Sequence, residues 1–265
     1  MLEWLSDDGH VYLCRTHLKE MLPHVAFKKI GRNKATTFTG FCAKHDSTVF
    51  ELIDTNDFDA NNENQLFLHS YRLVVREYHK QLESIHKVNV AIAEQPKDDP
   101  KTMVALAQSQ AFFQHNIAPI ENLAQHYHDI YRRDLWDILR YKTITINTDS
   151  PFVAAGGVFS AGGNLATFIV LPRRNELSIV FASFENLDAF GPIVDIERNG
   201  SDFQLYLVSK FILQYTELFV IKPSVFETFT DSQVSKITNF YRLNAFNQKT
   251  DSNDPHLTLF QRIDG

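Results

Sequence analysis

The sequence predicts an α+β fold, in which a long helical hairpin or bundle packs with a small antiparallel β-meander. Two patterns lead to this prediction. Apolar residues recur at helical spacing through most of residues 62–140, which indicates amphipathic helices. After residue 141 the pattern changes to four short runs rich in β-branched and aromatic residues, joined by short connections. Such runs are typical of antiparallel strands.

The composition is that of a globular chain. With 265 residues, of which 44% are hydrophobic, the chain can bury a core without disulfides. The formal net charge of −6 argues against a surface that binds nucleic acid over its whole area. Two cysteines indicate a reducing, cytoplasmic setting. Since no apolar run is long enough to span a bilayer and the first residues lack a signal-peptide pattern, we expect no membrane association.

The chain divides into four segments according to the elements they are expected to carry. A strand over His10–Cys14 and a basic turn around Gly31 are expected near the N-terminus. At the other end, the run "HLTLFQRI" is expected to add an edge strand or to hang free. The segments are an N-terminal mixed segment with a candidate zinc knuckle (1–60), a helical region (61–140), an α+β region with an antiparallel sheet (141–246), and a polar linker and tail (247–265).

Capping signals set the predicted helix boundaries. Asn62 followed by Gln65 has the spacing of a capping box, and Asp99 before Pro100 predicts an N-cap with proline at the first helical position. Pro119 is expected to end or kink the second long helix. Two later capping boxes predict helices on either side of a short strand: Ser201 with Gln204, and Thr230 with Gln233.

Two C-x-x-H pairs are the candidate metal ligands. Cys14 with His17, and Cys42 with His45, could together supply four ligands for tetrahedral zinc, because structural zinc prefers thiolate and imidazole donors. The alternative is that these cysteines simply pack, since cysteine is among the most buried residue types. A further pattern with metal-ligand spacing, which no flanking signature supports, lies on one helix face: His79, Glu83 and His86.

The surroundings of Cys42 resemble a loosely defined group of uncharacterised bacterial proteins that share an F-C-x-x-H-D motif. The matching residues lie in this motif and on the following helix: Phe38, Gly40, Phe41, Cys42, Lys44, His45, Asp46, Phe50, Tyr71, Arg72, Glu77 and Lys80. The resemblance implies a truncated or degenerate HNH or treble-clef-like zinc module, followed by helical and α+β regions. Members often carry an upstream C-x-x-C and Ser-His segment that forms the first half of the zinc site, and this chain is expected to lack it. The resemblance also implies a bacterial phage-defence or mobile-element setting.

Basic residues on the first long helix form the second candidate site. Arg72, Arg76 and Lys80 recur at helical spacing, so they share a face that could bind a phosphate or a carboxylate. The alternative is a solvated helix face, on which such charges are ordinary. A third interpretation is structural: Asp46 pairs with Arg72 and docks the F-C-x-x-H-D motif on the helix.

Three hypotheses for function follow from these patterns. The first is a non-catalytic or degenerate cytoplasmic module that binds a protein or nucleic-acid partner. The second is an HNH-like, metal-dependent nuclease whose structural zinc is held by the two C-x-x-H pairs. The third is an anion or nucleotide binder that uses Arg72 and Arg76. The sequence assigns no residue a catalytic role.

Overall fold

The computed structural model of the chain describes residues 2–19, 22–35, 40–94, 99–149, 151–216, 218–245, 254 and 257–260. The chain forms two compact units. The sheet unit consists of Met1–Thr37 and Leu139–Gly265, and the hairpin unit consists of Phe38–Ile138. Long helices together with an antiparallel sheet confirm the predicted α+β class. The sheet draws on both ends of the chain, and the four-segment division stays a prediction from the sequence.

Two long helices occupy the middle of the chain, and strands lie on either side of them in sequence. The described elements, in chain order, are α1 (Leu2–Leu5), β1 (His10–Lys19), β2 (Leu22–Gly31), α2 (Arg32–Ala35), α3 (Ala43–Val49), α4 (Glu51–Thr55), α5 (Glu63–Glu94), α6 (Pro100–Arg133), a 3₁₀ turn (Trp136–Ile138), β3 (Arg140–Asn147), β4 (Val153–Ala161), β5 (Asn164–Pro172), β6 (Glu176–Ser183), α7 (Gly191–Arg198), α8 (Ser201–Tyr215), β7 (Leu218–Ile221), α9 (Pro223–Phe226) and α10 (Asp231–Ala245).

The sheet has seven strands in the order β2-β1-β7-β4-β5-β6-β3, and each neighbouring pair is antiparallel. Three of the four strands expected in the meander, β4, β5 and β6, follow one another in the sheet, whereas the first, β3, pairs with β6 at the edge and not with β4. On the side away from β5, strand β4 pairs with β7, which in turn pairs with β1. Gly162 and Gly163 make the turn between β4 and β5 with positive φ at both residues, as the tightest hairpin turns require.

The core of the sheet unit consists of buried strand residues packed with α8 and α10. Phe211 of α8 meets Phe168 and Phe181 edge-on, with ring centroids 4.8 and 5.5 Å apart. Helix α8 comes so close to β4 that a Cβ at Gly157 would lie 2.5 Å from the carbonyl oxygen of Tyr215. Glycine at this position therefore permits the helix to pack against the strand.

Local signals in the sheet unit are partly as expected. The hydroxyl of Thr230 accepts from the amide of Gln233 at 3.2 Å, which is one half of the predicted capping box, whereas the Gln233 side-chain amide donates to the Thr258 carbonyl at 3.4 Å. The predicted box at Ser201 is wrong, because Gly200 is the N-cap residue of α8 and the side-chain amide of Gln204 donates to the Ile196 carbonyl at 2.8 Å. The described part of the tail packs on the core: its residues 257, 259 and 260 are buried.

In the hairpin unit, α5 and α6 form the predicted antiparallel hairpin. Both helix starts are as expected, since the side chain of Asn62 accepts from the Gln65 amide at 3.1 Å and that of Asp99 accepts from the Thr102 amide at 3.2 Å. Pro119 does not end α6, which continues to Arg133. Among the described residues, no helix is long and apolar enough to cross a membrane.

Candidate functional site

The F-C-x-x-H-D motif begins a short helix. Cys42 is the N-cap residue of α3, and the amide of Asp46 donates to the Cys42 carbonyl at 2.9 Å. Phe41 packs edge-on against Phe50 and Tyr71, with ring centroids 5.2 and 6.2 Å apart. Because Tyr71 belongs to α5, these aromatic contacts attach the motif to the long helix.

Arg72 of α5 binds two carboxylates from the short helices that precede it. Its Nη1 and Nη2 donate to the two carboxylate oxygens of Asp54, each at 2.7 Å, and Nη2 also lies 3.4 Å from Asp46 Oδ1. The guanidinium carbon lies 4.3 Å from the centre of the Phe50 ring. Burial opposes the charge on Arg72, but Asp54, and then Asp46, raise its pKa. The ion pair considered from the sequence is thus present, and Asp54 is the closer partner.

A second charged group surrounds Glu77, whose side chain is buried. Its Oε1 accepts from Arg76 Nη2 at 3.1 Å and from Lys80 Nζ at 3.3 Å. Burial alone would raise the pKa of Glu77, but Lys80 and Arg76 outweigh this effect and hold the pKa below its ordinary value. Glu77 is therefore ionised at neutral pH, with two cations beside it.

The three cations of the predicted anion site, Arg72, Arg76 and Lys80, thus contact carboxylates of the hairpin unit itself. A phosphate would have to displace Asp54 from Arg72, or compete with Glu77 for the other two cations. Each displacement would leave a carboxylate without its hydrogen-bond donors, which is costly where the group is buried. The arrangement suits internal pairing better than the exchange of a bound anion.

Beside these charges, the hairpin unit contains a cluster of aromatic rings. The ring of Tyr71 stacks on those of Tyr131 and Tyr127, with centroids 5.6 and 6.4 Å apart, and its hydroxyl lies 3.1 Å from His128 Nδ1. Burial, and then Tyr131, raise the pKa of Tyr71 to about 12. The phenol therefore keeps its proton near neutral pH and serves as a hydrogen-bonding group within the hairpin.

Of the four predicted zinc ligands, Cys42 and His45 lie together. Cys42 Sγ is 3.2 Å from His45 Nδ1, and Cys42 is exposed. Cys14 lies in the hydrophobic core of the sheet unit, where burial raises the pKa of its thiol. His17 follows three positions later in β1, an interval over which a strand advances about 10 Å, and its side chain lies outside the described residues.

Within the described part of the chain, no three His, Cys, Asp or Glu side chains are grouped so that they could hold a metal ion. His79 lies 3.6 Å from Glu83, which also pairs with Lys87 at 3.2 Å, and His86 is exposed. The pair Cys42 and His45 supplies two donors, whereas a structural zinc site uses four. Zinc binding stays a prediction from the sequence.

One feature of the hairpin unit that the sequence analysis missed is a segment of α6 without charged residues. No Asp, Glu, Lys or Arg occurs from Thr102 to Ile120, and within this segment the buried residues are Leu106 and Ile120. Val104 is 57% exposed and Phe112 is 48% exposed. A surface helix ordinarily carries charges on its solvent side, so a run of this length without charge is unusual for an exposed helix. The signal in the sequence is a run without charge over roughly five helical turns.

No family model matches this chain, and neither a curated protein nor a solved structure matches it. The fold and the contacts define it as an α+β protein with a seven-stranded antiparallel sheet and a long helical hairpin. The resemblance to the F-C-x-x-H-D group stays a prediction from the motif.

Proposed function

We propose that this chain is a non-catalytic module that binds a protein partner through its helical hairpin. The observation that carries the proposal is the exposed, uncharged segment Thr102–Ile120 of α6. In water such a segment leaves apolar side chains such as Val104 and Phe112 uncovered. Covering them with a partner removes apolar surface from water, and this is the main driving force of protein association.

The ion pairs of Arg72, Arg76 and Lys80 favour a structural role for these three residues over a catalytic one. Arg72 is held by Asp54, and Glu77 is held by Arg76 and Lys80. These contacts bind carboxylates to cations within the unit, so the groups stabilise the fold and are not directed at a substrate. The same contacts argue against the use of Arg72 and Arg76 for nucleotides.

The chemistry of the segment favours a protein over a nucleic acid. Proteins that bind DNA or RNA place lysine and arginine against the phosphates, and this contact supplies much of the affinity. Residues 102–120 contain neither, and the chain as a whole has a net charge of −6. An apolar surface with amide and hydroxyl groups instead matches the composition of protein interfaces.

The proposal is tested by affinity capture from cells in which the chain occurs. One bait is the wild-type chain, and a second combines Ala107→Glu with Phe112→Glu to place charges on two sides of α6. The control is Phe203→Glu, which changes a phenylalanine of similar exposure in the sheet unit: Phe203 is 50% exposed and Phe112 is 48% exposed. We expect protein recovered by the wild type and the control to fall at least tenfold with the double variant. Equal recovery by all three baits would contradict the proposal.

The nuclease and anion hypotheses have a direct test of their own. The purified chain is incubated with single- and double-stranded DNA and with RNA, in the presence of Mg²⁺, Mn²⁺ or Zn²⁺, and its melting temperature is measured with inorganic phosphate and nucleotides. We expect neither cleavage nor a phosphate-dependent shift. Cleavage that disappears in His45→Ala would favour the nuclease, and stabilisation that disappears in Arg72→Ala would favour the anion binder.

A further inference from the structure

Two exposed cations share one face of the strand pair β1 and β2. Cys14 of β1 pairs with Phe27 of β2, and both residues pack in the main core of the sheet unit. The next residues along the strands, Arg15 and Lys28, point to the opposite face, because side chains alternate along a strand, and both are exposed. Their backbones lie diagonally across the two strands, about 7–8 Å apart. A single extended anionic chain can therefore contact both side chains.

The short helices α1 and α2 lie on this same face of the sheet. Leu5 of α1 and Ala35 of α2 are buried in one small apolar cluster together with Val11 and Leu13 of β1. Leu13 is the strand partner of Lys28, so Lys28 lies at the border of this cluster. The cluster thus holds both helices beside the exposed cations.

Each of the two helices adds one exposed side chain. Trp4 precedes the buried Leu5 and is 56% exposed, and Lys34 precedes the buried Ala35 and is also exposed. The sheet unit therefore carries three cations and one indole around the apolar cluster. We call these four residues the basic face: Trp4, Arg15, Lys28 and Lys34.

The cations of the basic face are not neutralised by carboxylates of the described residues. Among those residues, Arg15, Lys28 and Lys34 form no ion pair. Lys29 provides the contrast, because it follows Lys28 in the chain but points to the other face, where its Nζ lies 2.9 Å from Glu227. Three cations without such partners produce a local positive potential on a chain whose net charge is −6, and this potential attracts anions.

We propose that the basic face binds single-stranded nucleic acid, with phosphates on Arg15, Lys28 and Lys34 and a base stacked on the indole of Trp4. Surfaces that bind single strands combine cations for the backbone with aromatic rings for the bases, and the basic face supplies both. The small number of contacts predicts weak binding with little dependence on base sequence. This surface lies in the sheet unit, so the inference is independent of protein binding through α6.

The combination of cations with one exposed indole favours a single strand over other anionic partners. A duplex offers phosphates but keeps the faces of its bases stacked, and an acidic protein offers carboxylates without planar bases. Membrane surfaces are bound by helices with a broad apolar face or by clusters of about four to eight cations. The basic face has three cations, and Trp4 is the exposed large apolar residue among those described in α1, β1, β2 and α2.

The test measures binding of the full chain to fluorescein-labelled oligothymidylate by anisotropy over a range of salt concentrations. We expect a dissociation constant of about 10⁻⁴–10⁻⁶ M at physiological salt. The logarithm of the association constant should fall with the logarithm of the salt concentration at a slope of about −2, because each cation that contacts a single strand contributes about −0.7.

Lys28→Gln should change this slope to about −1.4 and weaken binding at low salt at least threefold. Lys29→Gln is the matched control, since it removes the same charge from the adjacent residue, which pairs with Glu227 on the other face. The control should keep the affinity and the slope of the wild type. Circular dichroism of each variant checks that the fold is retained.

The indole has a readout of its own. Trp4→Ala should weaken binding at least fivefold and keep the salt slope, because stacking on a base does not depend on charge. Phe203→Ala, which removes another exposed aromatic ring of the sheet unit, should leave the affinity unchanged. In a Trp136→Phe background Trp4 is the single tryptophan of the chain, and oligothymidylate should quench its fluorescence with the same dissociation constant.

The inference is overturned if oligothymidylate does not bind even at low salt, or if Lys28→Gln and Lys29→Gln weaken binding equally. It is also overturned if Trp4→Ala leaves the affinity unchanged, because no base would then stack on the indole. Duplex DNA of the same length, polyglutamate and phosphatidylserine vesicles are measured alongside. Binding to any of these that is at least as tight as binding to oligothymidylate would assign the basic face to that partner and not to a single strand.

Discussion

Both terminal nitrogens of Arg72 lie 2.7 Å from the two carboxylate oxygens of Asp54. This parallel pairing uses the planar fork of the guanidinium, which an ammonium group cannot reproduce. We expect Arg72→Ala to lower the free energy of unfolding by about 1–2 kcal/mol, a range reduced because the pair is partly exposed to solvent. Arg72→Lys should cost about half as much, since it keeps the charge and loses one hydrogen bond. Urea denaturation measures both values.

Lys87→Ala is the control for the Arg72 variants. Lys87 pairs with Glu83 at 3.2 Å, but both side chains are largely exposed, and such pairs contribute little to stability. We expect the unfolding curve of Lys87→Ala to overlie that of the wild type. An Arg72→Ala curve that also overlies the wild type would show that the contacts to Asp54 and Asp46 do not fix the short helices on α5.

His69 makes the stability of the chain depend on pH. Burial, and then the charge of Arg72, lower the pKa of His69 to about 4, whereas an unfolded histidine titrates near 6.5. Between about pH 6.5 and 4, the unfolded chain takes up a proton that the folded chain does not. Stability must therefore fall as the pH decreases through this window, and the penalty reaches about 3 kcal/mol at its lower end. Above pH 6.5 both states are neutral at this residue and the effect vanishes.

We expect His69→Gln to flatten the decrease in unfolding free energy between pH 6.5 and pH 4.5, as measured by urea denaturation at several pH values. His115→Gln is the control, because His115 is an exposed histidine of α6 and its variant should keep the wild-type slope. Identical slopes in all three proteins would mean that His69 takes up its proton in the folded state.

Gly157 is required by the close approach of α8 to β4. A Cβ at this residue would lie 2.5 Å from the Tyr215 carbonyl oxygen and 3.0 Å from a ring carbon of Phe168. The backbone of Tyr215 cannot easily withdraw, because the next residue, Thr216, donates its hydroxyl to the Gly156 carbonyl at 2.8 Å. We expect Gly157→Ala to destabilise the sheet unit by about 1–3 kcal/mol through overpacking.

Gly191→Ala is the matched control for this substitution. Gly191 begins α7, and a Cβ there would meet nothing within 4 Å. Alanine favours helix more than glycine does, so the control should leave the thermal midpoint unchanged or raise it slightly. A fall in the midpoint of the control as large as that of Gly157→Ala would mean that the loss does not come from contact with α8.

The predicted features that hold in the structure are mostly local. Asn62 and Asp99 cap their helices because a capping side chain binds an amide three residues further along the same chain. The capping box predicted at Ser201 does not form, because the side-chain amide of Gln204 donates to the Ile196 carbonyl instead. This hydrogen bond joins α8 to α7, so it depends on how the two helices pack. The pairing of β1 with β7 has no local signal, since it joins residues near the N-terminus to residues near position 220.

In the candidate site, too, some features could be predicted from the sequence and others could not. The contact between Asp46 and Arg72 could be predicted from the sequence, because Asp46 belongs to the F-C-x-x-H-D motif and Arg72 lies on the predicted first long helix. Asp54 was missed because nothing in its short helix distinguishes it from other surface carboxylates. The run without charge from Thr102 to Ile120 is visible in the sequence. Its exposure is not, because an uncharged helix is equally compatible with a buried position.

The two cysteines should differ in their accessibility to a thiol reagent. Cys42 is exposed and lies 3.2 Å from His45 Nδ1, whereas Cys14 is buried. We expect the native chain to react rapidly at one thiol and the denatured chain to react at two. In Cys42→Ser the rapid reaction should disappear, and the remaining thiol should become reactive only in denaturant, because burial raises the pKa of Cys14 and excludes the reagent.

Added Zn²⁺ distinguishes a two-ligand pair from the tetrahedral site that the sequence suggests. Cys42 and His45 alone should bind zinc weakly, so we expect the rapid thiol to remain reactive at one equivalent of Zn²⁺ and the dialysed protein to retain well below one zinc. A tetrahedral site would protect Cys42, retain one equivalent of zinc and raise the melting temperature, and His17→Ala would abolish all three effects. That result would support the four-ligand prediction, because a loss of zinc binding in His17→Ala indicates that the His17 imidazole contributes to the site.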